Sequence, residues 1–146
     1  MRLLALLLIT TATLAGEGGL DPHPWDEATR SDGRHFSVTT NTFPELATSL
    51  VTHLDAAYAH FERRFGPLPP HRSRRMEVWL FRAKEEYLTR ADGVRGALGH
   101  FDAALDRSAL IWDGGTGETG WPIAVHEACH HYFRRRFPGV LAPTWY

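Results

Sequence analysis

Residues 126–130 read His-Glu-Ala-Cys-His. On an α-helix, positions i and i+4 project from one face about one turn apart, so His126 and His130 can turn their imidazoles toward a single metal ion. Zinc takes nitrogen ligands in tetrahedral geometry, and a catalytic site leaves one position open to water. Glu127 lies one residue further on, about 100° round the helix, beside that open side. A carboxylate there can take a proton from water and later pass it to a leaving amine. With nine His and nine Glu in 146 residues, a shuffled chain would contain about 0.03 H-E-x-x-H matches. The competing reading is a histidine-rich amphipathic helix that holds no metal.

A helix over 123–136 must present these groups. The span contains neither Gly nor Pro, and Pro122 before it suits a first helical turn. Val125, Cys129, Tyr132 and Phe133 share one side and are expected to pack inward. His126 and His130 lie beside that stripe, at the edge of the core. Residues 113–120 form a glycine-rich connection that lacks the Lys-Ser/Thr of a phosphate-binding loop.

Upstream, 35–40 alternates apolar and polar residues and predicts a half-buried strand. Thr42 and Glu45 have the spacing of a capping box. The helix that follows runs to about Phe65, with Leu46, Leu50, Leu54, Ala57, Tyr58, Phe61 and Phe65 as its buried stripe. Gly66 and Pro67 stop it. Residues 76–81 predict an internal strand, apolar on both faces. A short helix is expected over 83–91, then strands over 96–101 and 109–112 about a turn at 106–108. The last two strands should be antiparallel. The order predicts an α+β domain, a small mixed sheet with helices packed on it and the H-E-x-x-H helix against the sheet.

The length of 146 residues fits one domain or part of one. An apolar fraction of 43% with 12% aromatics argues against disorder. The formal charge of −1 supplies no global field for nucleic acid or anionic lipid. Two basic clusters, 71–75 and 134–136, read as a solvated loop and as cations at a helix C-terminus; no nucleic-acid motif accompanies either. Residues 1–15 have the form of a signal peptide: Arg2, an apolar run from Leu3 to Ile9, and small residues at Thr13 and Ala15. The run is short for a membrane span, so the chain is expected to be secreted or periplasmic, with no stable span after cleavage. Residues 16–34, rich in Gly, Pro and charge, read as a linker or irregular arm. Cys129 is the only cysteine, so no intramolecular disulfide can form; it reads as a small buried thiol.

The chain resembles the gluzincin zinc peptidases, the thermolysin-like group of the peptidase MA clan, and more closely its secreted bacterial members of uncharacterised-family type. The resemblance covers roughly residues 35–146 and rests on three segments. These are His126 to His130; Gly99-His100-Phe101, similar to a G-x-[FY] edge strand; and Pro143-Thr144-Trp145-Tyr146, similar to the opening of a P-x-W-x-x-E-G segment. It implies the N-terminal lobe of a zincin-like catalytic domain over 35–146. It further implies Zn2+ as cofactor on His126 and His130, and Glu127 as the base that activates a zinc-bound water. Gly99, His100 and Phe101 would hold an extended peptide or protein substrate by main-chain hydrogen bonds. The third ligand, a glutamate, would fall two positions beyond Tyr146, so the domain is expected to be C-terminally incomplete, with weak metal binding and little turnover. His131, about 100° off the pair's face, is expected to miss the metal; His100, Asp113 and Glu118 are weaker candidates for the third position. The alternative is a non-catalytic or degenerate secreted peptide-binding domain of the same fold.

Overall fold

The computed structural model describes residues 24–112 and 120–140. In chain order it contains β1 (Thr29–Asp32), β2 (Phe36–Thr40), α1 (Pro44–Phe65), β3 (Met76–Phe81), α2 (Lys84–Arg90), β4 (Gly99–Asp102), β5 (Arg107–Ile111) and α3 (Gly120–Arg136). Single 3-10 turns lie at Trp25–Glu27 and Pro70–Arg72. The strands form one sheet in the order β1-β2-β3-β5-β4. The two inner pairings are parallel and the two outer ones antiparallel, including β4 with β5. The fold is therefore α+β with a mixed sheet.

The apolar pattern of each strand decides how the sheet is covered. On one face Phe36 and Val38 of β2, Met76, Val78 and Leu80 of β3 and Leu110 of β5 are buried. Leu50, Leu54, Tyr58 and Phe61 of α1 and Ala124, Ala128 and Tyr132 of α3 pack onto them. On the other face Phe81 and Ala109 meet Tyr87 of α2 and Trp25, whose ring stacks on Phe81 at 4.2 Å. Because β3 is apolar on both sides it takes the centre of the sheet, where both faces are covered. Burial of this apolar surface is the main favourable term in folding.

The ends of α1 correct one expectation. Pro44 occupies the first turn, but the cap residue is Phe43 and no side chain caps the helix. The Thr42–Glu45 capping box does not form because the Thr42 hydroxyl lies 2.7 Å from that of Thr40. Thr40 in turn donates to the carbonyl of Leu80 at 2.7 Å. The two threonines thus tie the end of β2 to β3. At the far end Gly66, with φ of 79°, takes a conformation that side-chain-bearing residues avoid.

Within the expected 16–34 arm, residues 29–32 form a strand. Thr-Arg-Ser-Asp of β1 pairs antiparallel with β2. It is mostly exposed, so it has no apolar alternation and is fixed by main-chain bonds. The carboxylate of Asp55 on α1 anchors the adjoining turn, accepting N–H bonds from Arg34, His35 and Phe36 at 2.6, 2.9 and 3.2 Å. The turn expected at 106–108 lies at 103–106, with Asp106 at φ 52°, and Arg107 and Ser108 already belong to β5. Residues 1–15, which read as a signal peptide, residues 113–119 with Asp113 and Glu118, and Pro143 to Tyr146 lie outside the described residues. Among the described residues no helix is long and apolar enough to cross a membrane.

Candidate functional site

α3 carries the H-E-x-x-H residues, and its rotation decides what each can do. The expected inward stripe was Val125, Cys129, Tyr132 and Phe133. The buried residues are Ala124, Glu127, Ala128, His131, Tyr132 and Arg135, while Val125, Cys129 and Phe133 are only partly covered. Two alanines let the helix approach the sheet, and Tyr132 fills the seam with α1, 5.2 Å edge-on from Tyr58. The Tyr132 hydroxyl donates to the carbonyl of Gly66 at 2.7 Å. This rotation takes Glu127 and His131 into the protein and leaves His126 and His130 half-exposed at its rim. Cys129 is half-buried, and burial pushes its thiol up in pKa, away from nucleophilic character.

The two histidines converge. Nε2 of His130 lies 3.0 Å from Nε2 of His126, with the rings inclined at 78°. A tetrahedral zinc about 2.0–2.1 Å from each nitrogen needs the two nitrogens about 3.4 Å apart. The rings would part by only a few tenths of an ångström, so the donor pair fits such an ion. Burial, and then the neighbouring His126, lowers the pKa of His130, which favours the neutral imidazole that a metal requires. Among the described residues no group of three or more His, Cys, Asp or Glu side chains gathers at one point.

Glu127 stands beside the pair, with 8% of its surface exposed. Burial pushes its pKa up to about 7, against the opposing effect of the Phe101 N–H, which donates to its carboxylate. The register of β4 explains that bond. Leu98 accepts from the N–H of Ile111 at 2.8 Å, and antiparallel pairing alternates. His100 and Asp102 therefore turn their main-chain groups to β5, whereas Gly99 and Phe101 turn theirs to the free edge. Gly99 is required for this approach, because a Cβ would lie 2.5 Å from Leu110 Cδ2 and 3.1 Å from Ile123 Cγ2. The cleft of about 370 Å³ between this edge and α3 is lined by Leu98, Gly99, Pro122, Ile123, His126 and Glu127.

His100 is not brought to the cleft. Its side chain points to the opposite face of the sheet, where Nδ1 lies 2.9 Å from the Tyr87 hydroxyl. Alternation along the strand imposes this, since Gly99 and Phe101 face α3. His100 is thus excluded as a third ligand on His126 and His130, and its main chain is occupied by β5. His131 also misses the pair, as its angle on the helix predicts.

His131 belongs instead to a buried polar knot that the motif did not announce. Its Nε2 lies 3.0 Å from Asp106, and its ring stacks on Phe101 at 4.7 Å. Asp106 also accepts from Arg135 at 2.9 Å and from Arg74 at 2.7 Å. Burial raises its pKa, but these donors outweigh burial and hold it well below the usual carboxylate range. Burial lowers the pKa of His131 against the raising effect of Asp106, and facing this carboxylate Nε2 is the donor. Arg135, only 6% exposed, further donates to the main-chain carbonyls of Arg72, Arg74 and Arg75. The residue that reads as one of three cations at a helix end is a clamp between α3, the β4–β5 turn and the strand entering β3. The only trace of it in the sequence is Arg135 at helical spacing from His131 and Glu127.

The site is a helix-borne imidazole pair and a buried carboxylate set against the open edge of a mixed sheet. No protein family matches the chain, and no curated protein or solved structure matches it.

Proposed function

We propose that this chain is a secreted zinc-dependent peptidase of zincin-like fold that hydrolyses peptide bonds in the cleft between α3 and β4. The observation that supports it best is the 3.0 Å convergence of His126 and His130 beside a buried carboxylate whose pKa lies near neutrality. Zinc, when bound, would polarise the scissile carbonyl and acidify water. His126 and His130 would hold it, with a third protein ligand supplied from outside the described residues. Glu127 takes the proton of the attacking water and gives it to the departing amine. A carboxylate with a pKa near the working pH suits both transfers. The main-chain groups of Gly99 and the carbonyl of Phe101, turned to the free edge, align an extended substrate by strand addition, while the Phe101 N–H stays with Glu127. Secretion is part of the proposal and rests on the leader-like residues 1–15.

The test is equilibrium dialysis against zinc, with peptide cleavage followed by mass spectrometry. One zinc per chain, lost in His126→Ala, and cleavage lost in Glu127→Gln with zinc retained would support the peptidase. Full activity in Glu127→Gln would sink it. A second reading has its own support, because two imidazole nitrogens at 3.0 Å also satisfy a hydrogen bond between the rings without metal. The cleft would then bind a peptide without cutting it. Peptide affinity indifferent to chelation and to loss of Glu127 would favour that reading.

A further inference from the structure

A second cavity, of about 530 Å³, opens at the C-terminal end of α3, and its lining includes Arg72, Arg74, Arg134, Arg135 and Asp106. The charges are not balanced within it. Asp106 is consumed by Arg135, Arg74 and His131. Arg72 donates to the carbonyl of Arg135 at 3.1 Å. The Arg134 side chain makes no hydrogen bond or ion pair among the described residues. Guanidinium groups that protein partners leave free are suited to bidentate binding of a carboxylate.

Position links this cavity to the cleft. His126, His130 and Arg134 are spaced by four residues and share one face of α3. From the midpoint of the histidine pair to Arg134 is about 9 Å along the helix axis, at 1.5 Å per residue. Ala103, which also lines the cavity, directly follows the free edge of β4. A peptide laid along that edge advances about 3.3 Å per residue. It would bring a group about three residues from the bond at the histidine pair into the cavity.

We infer that the arginine cavity is a specificity subsite for a carboxylate of the peptide substrate, about three residues from the bond held at His126 and His130. This rests on the proposed peptidase or peptide-binding role of the cleft. A peptide antiparallel to β4 places an acidic side chain on the amino-terminal side of that bond in the cavity. A parallel one places the carboxy-terminal side there, where a free chain terminus can serve.

The test uses the full chain in chelator and measures binding alone, by fluorescence anisotropy. The probes are octapeptides blocked at both ends, each with one Glu scanned along the sequence, Gln controls at the same positions, and one peptide with a free carboxy-terminus. One Glu position, or the free terminus, should bind about tenfold tighter than its neutral control. Arg134→Gln should abolish that preference and Arg134→Lys partly restore it, while the thermal midpoint stays unchanged because Arg134 has no partner to lose. A tighter Glu peptide identifies a side-chain carboxylate, and a tighter free terminus identifies the chain end. Affinities within twofold for all probes would overturn the inference, as would a preference that survives Arg134→Gln. Inorganic phosphate raising the thermal midpoint while no peptide shows a preference would also overturn it, marking a free-anion site. A carboxylate preference without cleavage in zinc would keep the subsite and remove the peptidase. Cleavage blind to charge would do the reverse.

Discussion

Replacing Glu127 by glutamine tests the central geometry without any substrate. In the metal-free chain the carboxyl has a pKa of about 7 against an ordinary 4.5, with burial the dominant cause. A raised value means that the folded state keeps a proton the unfolded chain releases. The stabilisation is complete below about 4.5 and is lost as pH rises through about 7. At about 1.4 kcal/mol for each tenfold change in protonation, the difference corresponds to about 3 kcal/mol. Solvent in the adjoining cleft reduces this to about 2–3 kcal/mol. The substituted amide side chain has nearly the same shape, carries no charge and can still accept from the Phe101 N–H. In chelator at pH 8, Glu127→Gln should therefore unfold at a temperature roughly 5–10 °C above the parent. At pH 4.5 the two should coincide. His100, His130 and His131, all lowered by burial, give the opposite slope, since their stabilisation is lost as pH falls below about 6.5. They are common to both proteins and cancel in the difference. Calorimetry across pH 4.5 to 8 reads it directly. A constant difference over that range would mean that Glu127 is not buried against the β4 edge, and the site as drawn would fall. Saturating zinc, which favours the ionised carboxylate, should shrink the gap at pH 8.

Three further outcomes follow from the same contacts. Zinc at about a hundredfold excess over its dissociation constant should stabilise the chain by about 2.7 kcal/mol in thermal unfolding, and His126→Ala should remove the effect. Asp106→Asn strips the buried Arg135 of its counter-charge and should cost about 3–5 kcal/mol in urea denaturation. Because the Asp106 pKa is depressed, its stabilisation is present above the ordinary carboxylate value and lost in acid, so the variant should show a shallower acid limb. Gly99→Val drives a branched side chain toward Leu110 and Ile123 and should cost about 1–3 kcal/mol, with peptide binding weakened as β4 is pushed off α3. A loss below about 0.3 kcal/mol at Gly99 would show that the edge strand does not approach so closely.

The sequence spelled out those parts of the molecule where one periodic signal dominates. The helical stripe from Leu50 to Phe61, the apolar run of Met76 to Phe81 and the i, i+4 histidines each follow from spacing alone. β1 escaped because an edge strand held by main-chain bonds needs no apolar alternation, and Thr-Arg-Ser-Asp has none. The rotation of α3 escaped for a different reason. Hydropathy favours Val125, Cys129 and Phe133 for the interior over Glu127, His131 and Arg135. The order is reversed because Phe101, Asp106 and the carbonyls of residues 72, 74 and 75 supply partners that no local window contains. The same long-range contacts place His100 on the far face, although its sequence position beside Gly99 and Phe101 made it a candidate for the cleft.

The strand order also bears on the sequence of events during synthesis. β4 precedes β5 in the chain but lies outside it in the sheet, so β4 has no neighbour to pair with until residues 107–111 have emerged. α3, whose Arg135 fastens the strand entering β3, comes later still. A nascent chain can collapse early around β2, α1 and β3, while the hairpin bearing the cleft waits for both its inner strand and its helix. The machinery proposed to cut peptides thus takes shape only after β5 and α3 have both been made, and interruption of translation before α3 would leave the apolar face of β3 and α1 uncovered and prone to association.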